Sequence, residues 1–407
     1  MLTVKTPDET RALIDDKFGR LRMAEETIAL SDALNRVLSR TIVAAEDIPG
    51  FDRSTVDGFA VRAADTFGCS ESIPAILDLQ GEILMGQTSP HDLLAEKCMA
   101  IATGGALPPG ADAAVMLEYT EDYQDGTIGI MRPVAPGANL IFRGDDVSSG
   151  QVIMKAGKKL RPHDIGALAA LGYETVYVAK QPRVGIISTG NELVGIGAQP
   201  QIGQIRDVNS WLLSAGAVAA GAEPVAYGII PDKENALLAG LSQAAAACDL
   251  VLISGGSSVG ARDITQQTIE ALGQVLLHGI AVKPGKPTII GSVGDTPVFG
   301  LPGHPVAAHF IFECFVLPLI QSMLGASWRQ HAIAATLTEA ISSNHGREEY
   351  MPVCLIQGEA GLQAAPVYAK SGLITKLRDT DGYIRIPRDC EGLAGGATVQ
   401  VVMNSTD

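Results

Sequence analysis

Compact apolar runs alternate with helical patterns in the second half of the chain. The runs are rich in Val, Ile and Leu and cover residues 183–189, 223–230, 248–256 and 274–282. The stretches between them have helical periodicity, at 209–221, 233–247 and 263–273. This alternation predicts an α/β domain with a doubly wound, mostly parallel sheet at 179–325, covered by helices on both faces. Residues 288–300 predict two strands around a Gly-Asp turn, and 304–324 a final helix.

The remaining patterns are shorter. Residues 7–44 are interpreted as helical, with a second helix at 31–44 capped by Ser31. Residues 161–172 return to helical periodicity and end at a glycine. Short β runs divided by Gly and Pro predict a small mostly-β unit at 48–144 and a barrel or sandwich from 326 onward.

Length and charge limit the function classes. A chain of 407 residues is expected to form two to four domains. With 30 basic and 45 acidic side chains the net charge is −15, which argues against a nucleic-acid surface. An anionic substrate would therefore need locally placed cations or a metal ion.

Cysteine usage and the chain start favour the cytoplasm. The six cysteines are scattered without a CxxC pair, which is typical of reduced thiols. Residues 1–16 have no apolar segment of the secretory type. The apolar run at 309–320 contains Glu313 and is too short to span a bilayer, so no membrane partner is expected.

Polar loops follow each predicted α/β strand. They are STGNEL (188–193), IIPD (229–232), SGGSSVGARD (254–263) and KPGKP (283–287). Ligands of open parallel sheets bind beyond the carboxyl ends of the strands. The loops therefore predict one ligand site at one edge of the sheet.

The glycine loop at 254–260 is not a P-loop, because Ala261-Arg262 stands where Lys-Ser/Thr is required. Backbone N–H groups of Gly255, Gly256 and Gly260 can still converge on an anion, with hydroxyl groups of Ser254 and Ser258 beside them. The alternative is a tight strand-to-helix turn.

Two lysines and a proline-rich turn add candidate anion contacts. Lys283 and Lys286 on a stiff loop predict binding of phosphate, another oxyanion or a pyrophosphate-like group, unless both are solvated surface lysines. Pro302, Gly303 and Pro305 precede the last helix and offer backbone donors at its start.

Carboxylates at loop edges would repel an anionic ligand. Asp57, Glu192, Asp232 and Asp263 are such residues, and a hard cation such as Mg²⁺ resolves the conflict. Asp207 or Asn209 is predicted to cap a helix. His304 and His309 lack a third partner, so a zinc centre is not expected.

These loops resemble a known family when they are combined with further segments. The segments are DIPGFDRSTVDGFAVR (47–62), RGDD (143–146), RPHDIGALAALG (161–172), GREEYMPV (346–353) and SGLITKLRDTDGYIRIP (371–387). In this order they are similar to the molybdopterin molybdenumtransferase family, whose bacterial members are called MoeA and whose animal relative is the gephyrin E domain. Val56, Ala261-Arg262 and His304 depart from the usual family residues.

The resemblance implies a domain arrangement. Residues 1–47 and 145–178 would form a discontinuous helical linking domain from which 48–144 protrudes, followed by the α/β domain (179–325) and a C-terminal β domain (326–407). Family members are elongated homodimers whose active site lies between one subunit's α/β domain and the partner's protruding domain.

The resemblance also implies a reaction. A Mg²⁺-dependent enzyme would insert molybdate into adenylylated molybdopterin and release AMP, and the adenylyltransferase of the same pathway is a candidate partner. The site would contain Asp57, Thr103, Glu192, Asp232, Asp263, Lys283 and Lys286. A tungsten-preferring relative and a non-catalytic pterin-binding scaffold are the alternatives.

Overall fold

The computed structural model describes residues 4–255, 259–359, 361–368 and 370–404, with the backbone only at 259–263. Thr6 caps the first helix, because its hydroxyl accepts from Glu9 N while its own N–H donates to the Glu9 carboxylate. The α-helices are α1 (Pro7–Phe18), α2 (Pro162–Ala170), α3 (Asn209–Ala219), α4 (Glu234–Ala247), α5 (Val259–Leu272), α6 (Pro305–Ile311) and α7 (Leu317–Met323). Short 3₁₀ turns cover Leu30–Asp32, Ala63–Thr66, Leu117–Tyr119 and Ile374–Leu377.

The strands are short and numerous. In chain order they are β1 (Glu25–Ala29), β2 (Ile42–Val43), β3 (Arg53–Ser54), β4 (Gly58–Val61), β5 (Ala75–Ile83), β6 (Lys97–Ile101), β7 (Ala113–Met116), β8 (Thr120–Asp122), β9 (Thr127–Ile130), β10 (Leu140–Ile141), β11 (Val152–Met154), β12 (Thr175–Ala179), β13 (Arg183–Thr189), β14 (Leu193–Val194), β15 (Ile205–Arg206), β16 (Glu223–Ile230), β17 (Leu250–Gly255), β18 (Gln274–His278), β19 (Val282–Lys283), β20 (Ile289–Val293), β21 (Thr296–Leu301), β22 (Ala332–Leu337), β23 (Ile341–Ser342), β24 (Glu348–Gly358), β25 (Gly361–Pro366), β26 (Gly382–Ile386), β27 (Gly392–Leu393) and β28 (Thr398–Met403).

The α/β domain has the strand order β16–β13–β17–β21–β20–β18. Strands β16, β13, β17 and β21 are mutually parallel, whereas β20 runs antiparallel to both of its neighbours. The predicted hairpin around Gly294-Asp295 is therefore confirmed. Strand β20 lies between β18 and the four parallel strands, and β18 runs in the same direction as those four.

Alternate residues of the central strands enter two cores. Leu250 and Leu252 belong to the core shared with α3 and the helix at 305–323, and Val251 and Ile253 to the core shared with α4. This is the pattern of a sheet covered on both faces.

The helical segment at 305–323 is continuous, with a π-helical stretch at Phe312–Val316. Among the described residues it is the one helix long and apolar enough to cross a membrane. Of its most apolar window, 78% is buried inside the protein, so it is the central helix of a protein core.

The C-terminal strands close into a barrel. Their order is β24–β25–β22–β28–β26, and β26 pairs again with β24. Val353, Ile384 and Val401 are fully buried in its core. Strand β19, which belongs to the KPGK loop, pairs in parallel with β24.

Residues 41–155 and 162–175 form one compact unit, and the remaining described residues form another. In the first unit the sheet order is β7–β4–β6–β5–β9–β8, over a core that includes Phe59, Val115 and Ile130. The mostly-β prediction for 48–144 is confirmed.

The helix predicted at 31–44 is wrong. Only Leu30–Asp32 make a 3₁₀ turn, and Ile42–Val43 pair with Val152–Met154. Asn35 has a φ of 64°, which an α-helix does not allow, and the β-branched run of Thr41, Ile42 and Val43 favours a strand. The linking segments are thus part helix, part strand. The limits of the four domains stay predictions.

Candidate functional site

Two strand ends approach closely at the carboxyl edge of the α/β sheet. Gly255 pairs with Thr189, and a Cβ atom at Gly255 would lie 2.1 Å from the Thr189 carbonyl oxygen. Its φ of 153° is also one that L-residues rarely adopt. Only glycine brings the start of the 254–260 loop this close to the STGNEL loop.

Thr189 also organises the acidic edge. Its hydroxyl donates a 2.6 Å hydrogen bond to Asp232 Oδ1, so the loops after β13 and β16 are joined there. Glu192 lies three residues beyond Thr189, and both residues line a cavity at this edge of the sheet. The two predicted carboxylates therefore belong to one sheet edge.

Asp207 stabilises the start of α3, but not as the N-cap residue. The N-cap position is Val208, and Asp207 accepts from Ser210 N (3.1 Å) and from the Ser210 hydroxyl (2.6 Å). It also accepts from Ser188 Oγ at 2.9 Å. Asp207 thus ties the helix to β13.

Asn209 does not cap the helix, so that alternative was wrong. Its Nδ2 donates to Ser254 Oγ at 2.6 Å and to the Gly303 carbonyl at 2.9 Å. The side-chain oxygen Oδ1 is buried and finds no hydrogen-bond partner among the described residues. A buried acceptor without a partner is costly, which favours a ligand donor at this point.

A cavity of about 710 Å³ is lined by several of these residues, although not by Asp232, and we call it the strand-edge pocket. It combines polar groups from several strand ends with the start of α6. Its lining includes Thr189, Glu192, Arg206, Asp207, Asn209, Ser254, Gly255, Gly303, His304, Pro305, Gly372 and Ile374.

Lys283 is less available than the sequence predicts. Its Nζ lies 2.8 Å from Glu349 Oε1, and the Glu349 side chain is only 7% exposed. Ser343 Oγ donates to the second Glu349 oxygen at 2.6 Å. Because β19 pairs with β24, Lys283 and Glu349 are direct register partners.

A larger cavity of about 1350 Å³ lies beside this pair, and we call it the basic cleft. Lys283 and the exposed Lys286 line it from the KPGK loop, and Arg347 and Lys370 from the C-terminal domain. Four cations and one carboxylate, Glu349, line the cleft in a chain of net charge −15. Such a cleft attracts oxyanions.

Arg347, Lys370 and Ser371 were not assigned to the site from the sequence. They belong to segments near GREEYMPV and SGLITKL, over 60 residues from KPGK along the chain. The sequence feature that could have identified these residues is the basic charge in and beside the two motifs.

His304 lines both cavities. Its Nδ1 lies 2.7 Å from Ser371 Oγ, and Val306 N donates to the Ser371 carbonyl at 3.1 Å. The turn before α6 is therefore bonded to the segment after residue 370. Pro302 lines the basic cleft, and Gly303 and Pro305 the strand-edge pocket.

In the other compact unit, Asp57 and Thr103 are in contact. Asp57 Oδ1 accepts from Thr103 N at 2.7 Å. This bond and one from the Thr103 side chain hold the pKa of the Asp57 carboxyl below its usual value. Asp57 is thus kept ionised.

Some predicted site residues cannot be placed. Gly256 and Ser258 lie outside the described residues, and for Gly260 and Asp263 only the helical backbone of α5 is described. The roles assigned to the site residues stay predictions.

Within the described part of the chain, no three His, Cys, Asp or Glu side chains cluster closely enough to hold a metal ion. The two carboxylates at the strand edge, Glu192 and Asp232, nevertheless fit the donor set of Mg²⁺. This ion uses one or two carboxylates and takes its other ligands from water and substrate phosphate.

Three family models match successive parts of the chain. Residues 5–172 match the MoeA N-terminal region (domains I and II), 185–322 a probable molybdopterin binding domain, and 334–403 the MoeA C-terminal region (domain IV). The matches follow the order of the domains described above.

Similar proteins extend over nearly the whole chain. A molybdopterin molybdenumtransferase of Bacillus subtilis is 35% identical over 93% of this chain and 89% of its own length. One from Staphylococcus aureus is 32% identical over 94% and 91%. A crystal structure of a molybdopterin biosynthesis MoeA protein from Pyrococcus horikoshii superposes with a TM-score of 0.86 at 32% identity, covering 99% of this chain and 100% of that one.

Proposed function

The chain belongs to the molybdopterin molybdenumtransferase family, and on that premise we propose that it inserts molybdate into adenylylated molybdopterin and releases AMP. A transferase role in molybdenum cofactor biosynthesis follows from family membership. The substrates, the cation and the assembly are the proposed parts.

The basic cleft beside the strand-edge pocket carries the proposal. Lys286, Arg347 and Lys370 line the cleft together with the Lys283–Glu349 pair. Cations at close range stabilise an oxyanion even though the chain as a whole carries a net negative charge. We assign molybdate and the phosphate of the pterin side chain to this cleft.

The strand-edge pocket suits the heterocyclic part of the substrate. Asn209 Oδ1 is a buried acceptor, and Ser254 and Gly255 lie beside it at the end of β17. A ring N–H donated to Asn209 Oδ1 would satisfy that oxygen. A hydrogen-bonded site of this kind discriminates strongly against analogues that lack the donor.

Glu192 and Asp232 would hold Mg²⁺, with Asp57 and Asp263 as the further predicted ligands. Bound there, Mg²⁺ would offset the charge of the phosphate oxygens. The residues of this chain bind, orient and compensate charge, and no covalent nucleophile is assigned.

We further propose a cytoplasmic homodimer that receives its substrate from a separate adenylyltransferase. In the homodimer, Asp57 of one subunit would complete the site of the other. Mixing inactive Asp57→Ala and Lys286→Gln chains tests this, because hybrid dimers would regain one intact site. No recovery in verified hybrids would contradict the shared site.

The reaction itself is tested by AMP release. Purified protein should release AMP from the adenylylated pterin only when molybdate and Mg²⁺ are present. Lys286→Gln and Asp57→Ala should lower kcat/KM about 100-fold or more. Lys17→Gln, an exposed lysine of α1, serves as the matched control and should have no effect. AMP release without molybdate would refute the assignment.

A further inference from the structure

His304 stands at the boundary between the two cavities. His304 and Gly372 line both the strand-edge pocket and the basic cleft, and of the two only His304 has a side chain. Ser371, in contrast, lines the basic cleft alone. A ligand that occupies both cavities has to pass His304.

The position of His304 is held from two sides. The preceding carbonyl of Gly303 accepts from Asn209 Nδ2 at 2.9 Å, and the His304 carbonyl accepts from Ala308 N at 3.0 Å. On the other side, Ser371 Oγ meets the imidazole at 2.7 Å. The ring is therefore oriented before any ligand binds.

A count of hydrogens shows what this pair can donate. A neutral imidazole and a hydroxyl carry two hydrogens between them, and their mutual bond uses one. The second is carried either by His304 Nε2 or by Ser371 Oγ. Since His304 lines both cavities and Ser371 only one, Nε2 is the better placed donor at the boundary.

We propose that His304 is an anion-contacting residue that positions the phosphoanhydride linkage of the substrate between the two cavities. Ser371 Oγ–H donates to Nδ1, which places the ring hydrogen on Nε2, and Nε2–H donates to a linkage oxygen. This inference rests on the proposed function, because adenylylated molybdopterin carries a heterocycle on each side of such a linkage, the pterin at one end and the adenine at the other.

Two variants separate this role from a structural one. Asn at 304 places its amide near the position of Nδ1 and can keep the bond to Ser371, but it has no group at Nε2. Gln places its amide near Nε2 and gives up the Ser371 bond. The proposal predicts that His304→Asn raises KM for the adenylylated pterin about 10- to 100-fold. His304→Gln should stay within about 3-fold of the wild type, and kcat should change little in either variant.

A higher KM for His304→Gln than for His304→Asn would overturn the inference. If His304 only anchors the segment after residue 370, His304→Asn would behave like the wild type and His304→Gln would be impaired. If the wild type released no AMP at all, the proposed function itself would be refuted. If the wild type is active and His304→Gln, not His304→Asn, is the impaired variant, only the role of His304 is refuted.

A measurement on the unaltered protein guards against variants that fail to fold. Nitrogen-15 shifts of the histidine rings distinguish the two neutral tautomers. His304 should be protonated at Nε2 in the free protein, and its Nε2 signal should shift when the adenylylated pterin is added without molybdate. Protonation at Nδ1, or an unchanged signal at saturating ligand, would contradict the proposal.

Discussion

The ammonium group of Lys283 lies 2.8 Å from the buried carboxylate of Glu349, and the two residues are register partners of β19 and β24. One partner belongs to the loop between β18 and β20 of the α/β sheet and the other to the C-terminal barrel. The pair both orients a cation at the basic cleft and joins two domains.

Replacing Glu349 should therefore affect stability and anion binding in opposite ways. Glu349→Gln leaves Lys283 without its counter-charge, so we expect the free energy of unfolding to fall by about 1–3 kcal/mol, since Lys283 is 40% exposed. Molybdate should bind more tightly, because Lys283 is released toward the cleft. Urea unfolding and calorimetric titration of molybdate measure the two effects.

Glu391→Gln is the matched control. Glu391 pairs with His345 on the surface, where both side chains are more than half exposed. We expect less than about 0.5 kcal/mol change in unfolding free energy and unchanged molybdate binding. Equal effects of the two variants would show that the Lys283–Glu349 pair has no special role.

Gly255→Ala should disrupt the strand-edge pocket. The added methyl group would collide with the Thr189 carbonyl, so we expect a loss of about 2–4 kcal/mol in unfolding free energy or a displaced loop. Gly195→Ala is the control, because a Cβ atom there meets nothing within 4 Å. Thermal denaturation of both variants measures this effect. Equal melting temperatures would contradict the close approach of Gly255 to the Thr189 carbonyl.

Asp57 should titrate below its usual range. The lowered pKa means that the native state favours the carboxylate, so the associated stability is present above the unfolded pKa and is lost as the pH falls through the folded one. Thr103→Val removes the hydroxyl contribution and should raise the pKa of Asp57, whereas Thr103→Ser should preserve it. Carbon-13 NMR of the carboxyl group measures this, and identical titrations in both variants would exclude the hydroxyl bond.

His309 should make the protein less stable in mild acid. Burial lowers the pKa of this histidine from 6.5 to about 4, so the unfolded chain binds a proton that the native state refuses. Its contribution is complete above pH 6.5 and decreases toward pH 4, with a loss of up to about 2 kcal/mol by pH 5. Urea unfolding at pH 7 and pH 5 should show a smaller difference for His309→Gln. An unchanged pH dependence would indicate that another group is responsible.

The sequence predicted those elements whose apolar period is unambiguous. The runs around Ile186, Leu252 and Phe299 are buried on both faces, and their composition leaves little choice but a central strand. The segment around Asn35 failed for the opposite reason. Its helical spacing was weak, and pairing with residues more than 100 positions away decided its structure.

The site was predictable where one loop carries the chemistry and less so where distant segments meet. Thr189 and Gly255 are the last residues of β13 and β17, and Glu192 lies three residues beyond β13, as the rule for open sheets requires. The partner of Lys283 and the contact of His304 with Ser371 depend on how the barrel closes. No local pattern in the chain contains that information.

The two-residue strand β19 pairs the KPGK loop, which connects β18 and β20 of the α/β sheet, with β24 of the barrel. The loop is thus joined to a domain that also contributes Gly372 and Ile374 to the strand-edge pocket. A chain that ended after the helix at 305–323 would keep its α/β sheet. It would lose β24 and with it Glu349, the carboxylate that holds Lys283 in place. The C-terminal domain thereby forms one wall of the basic cleft.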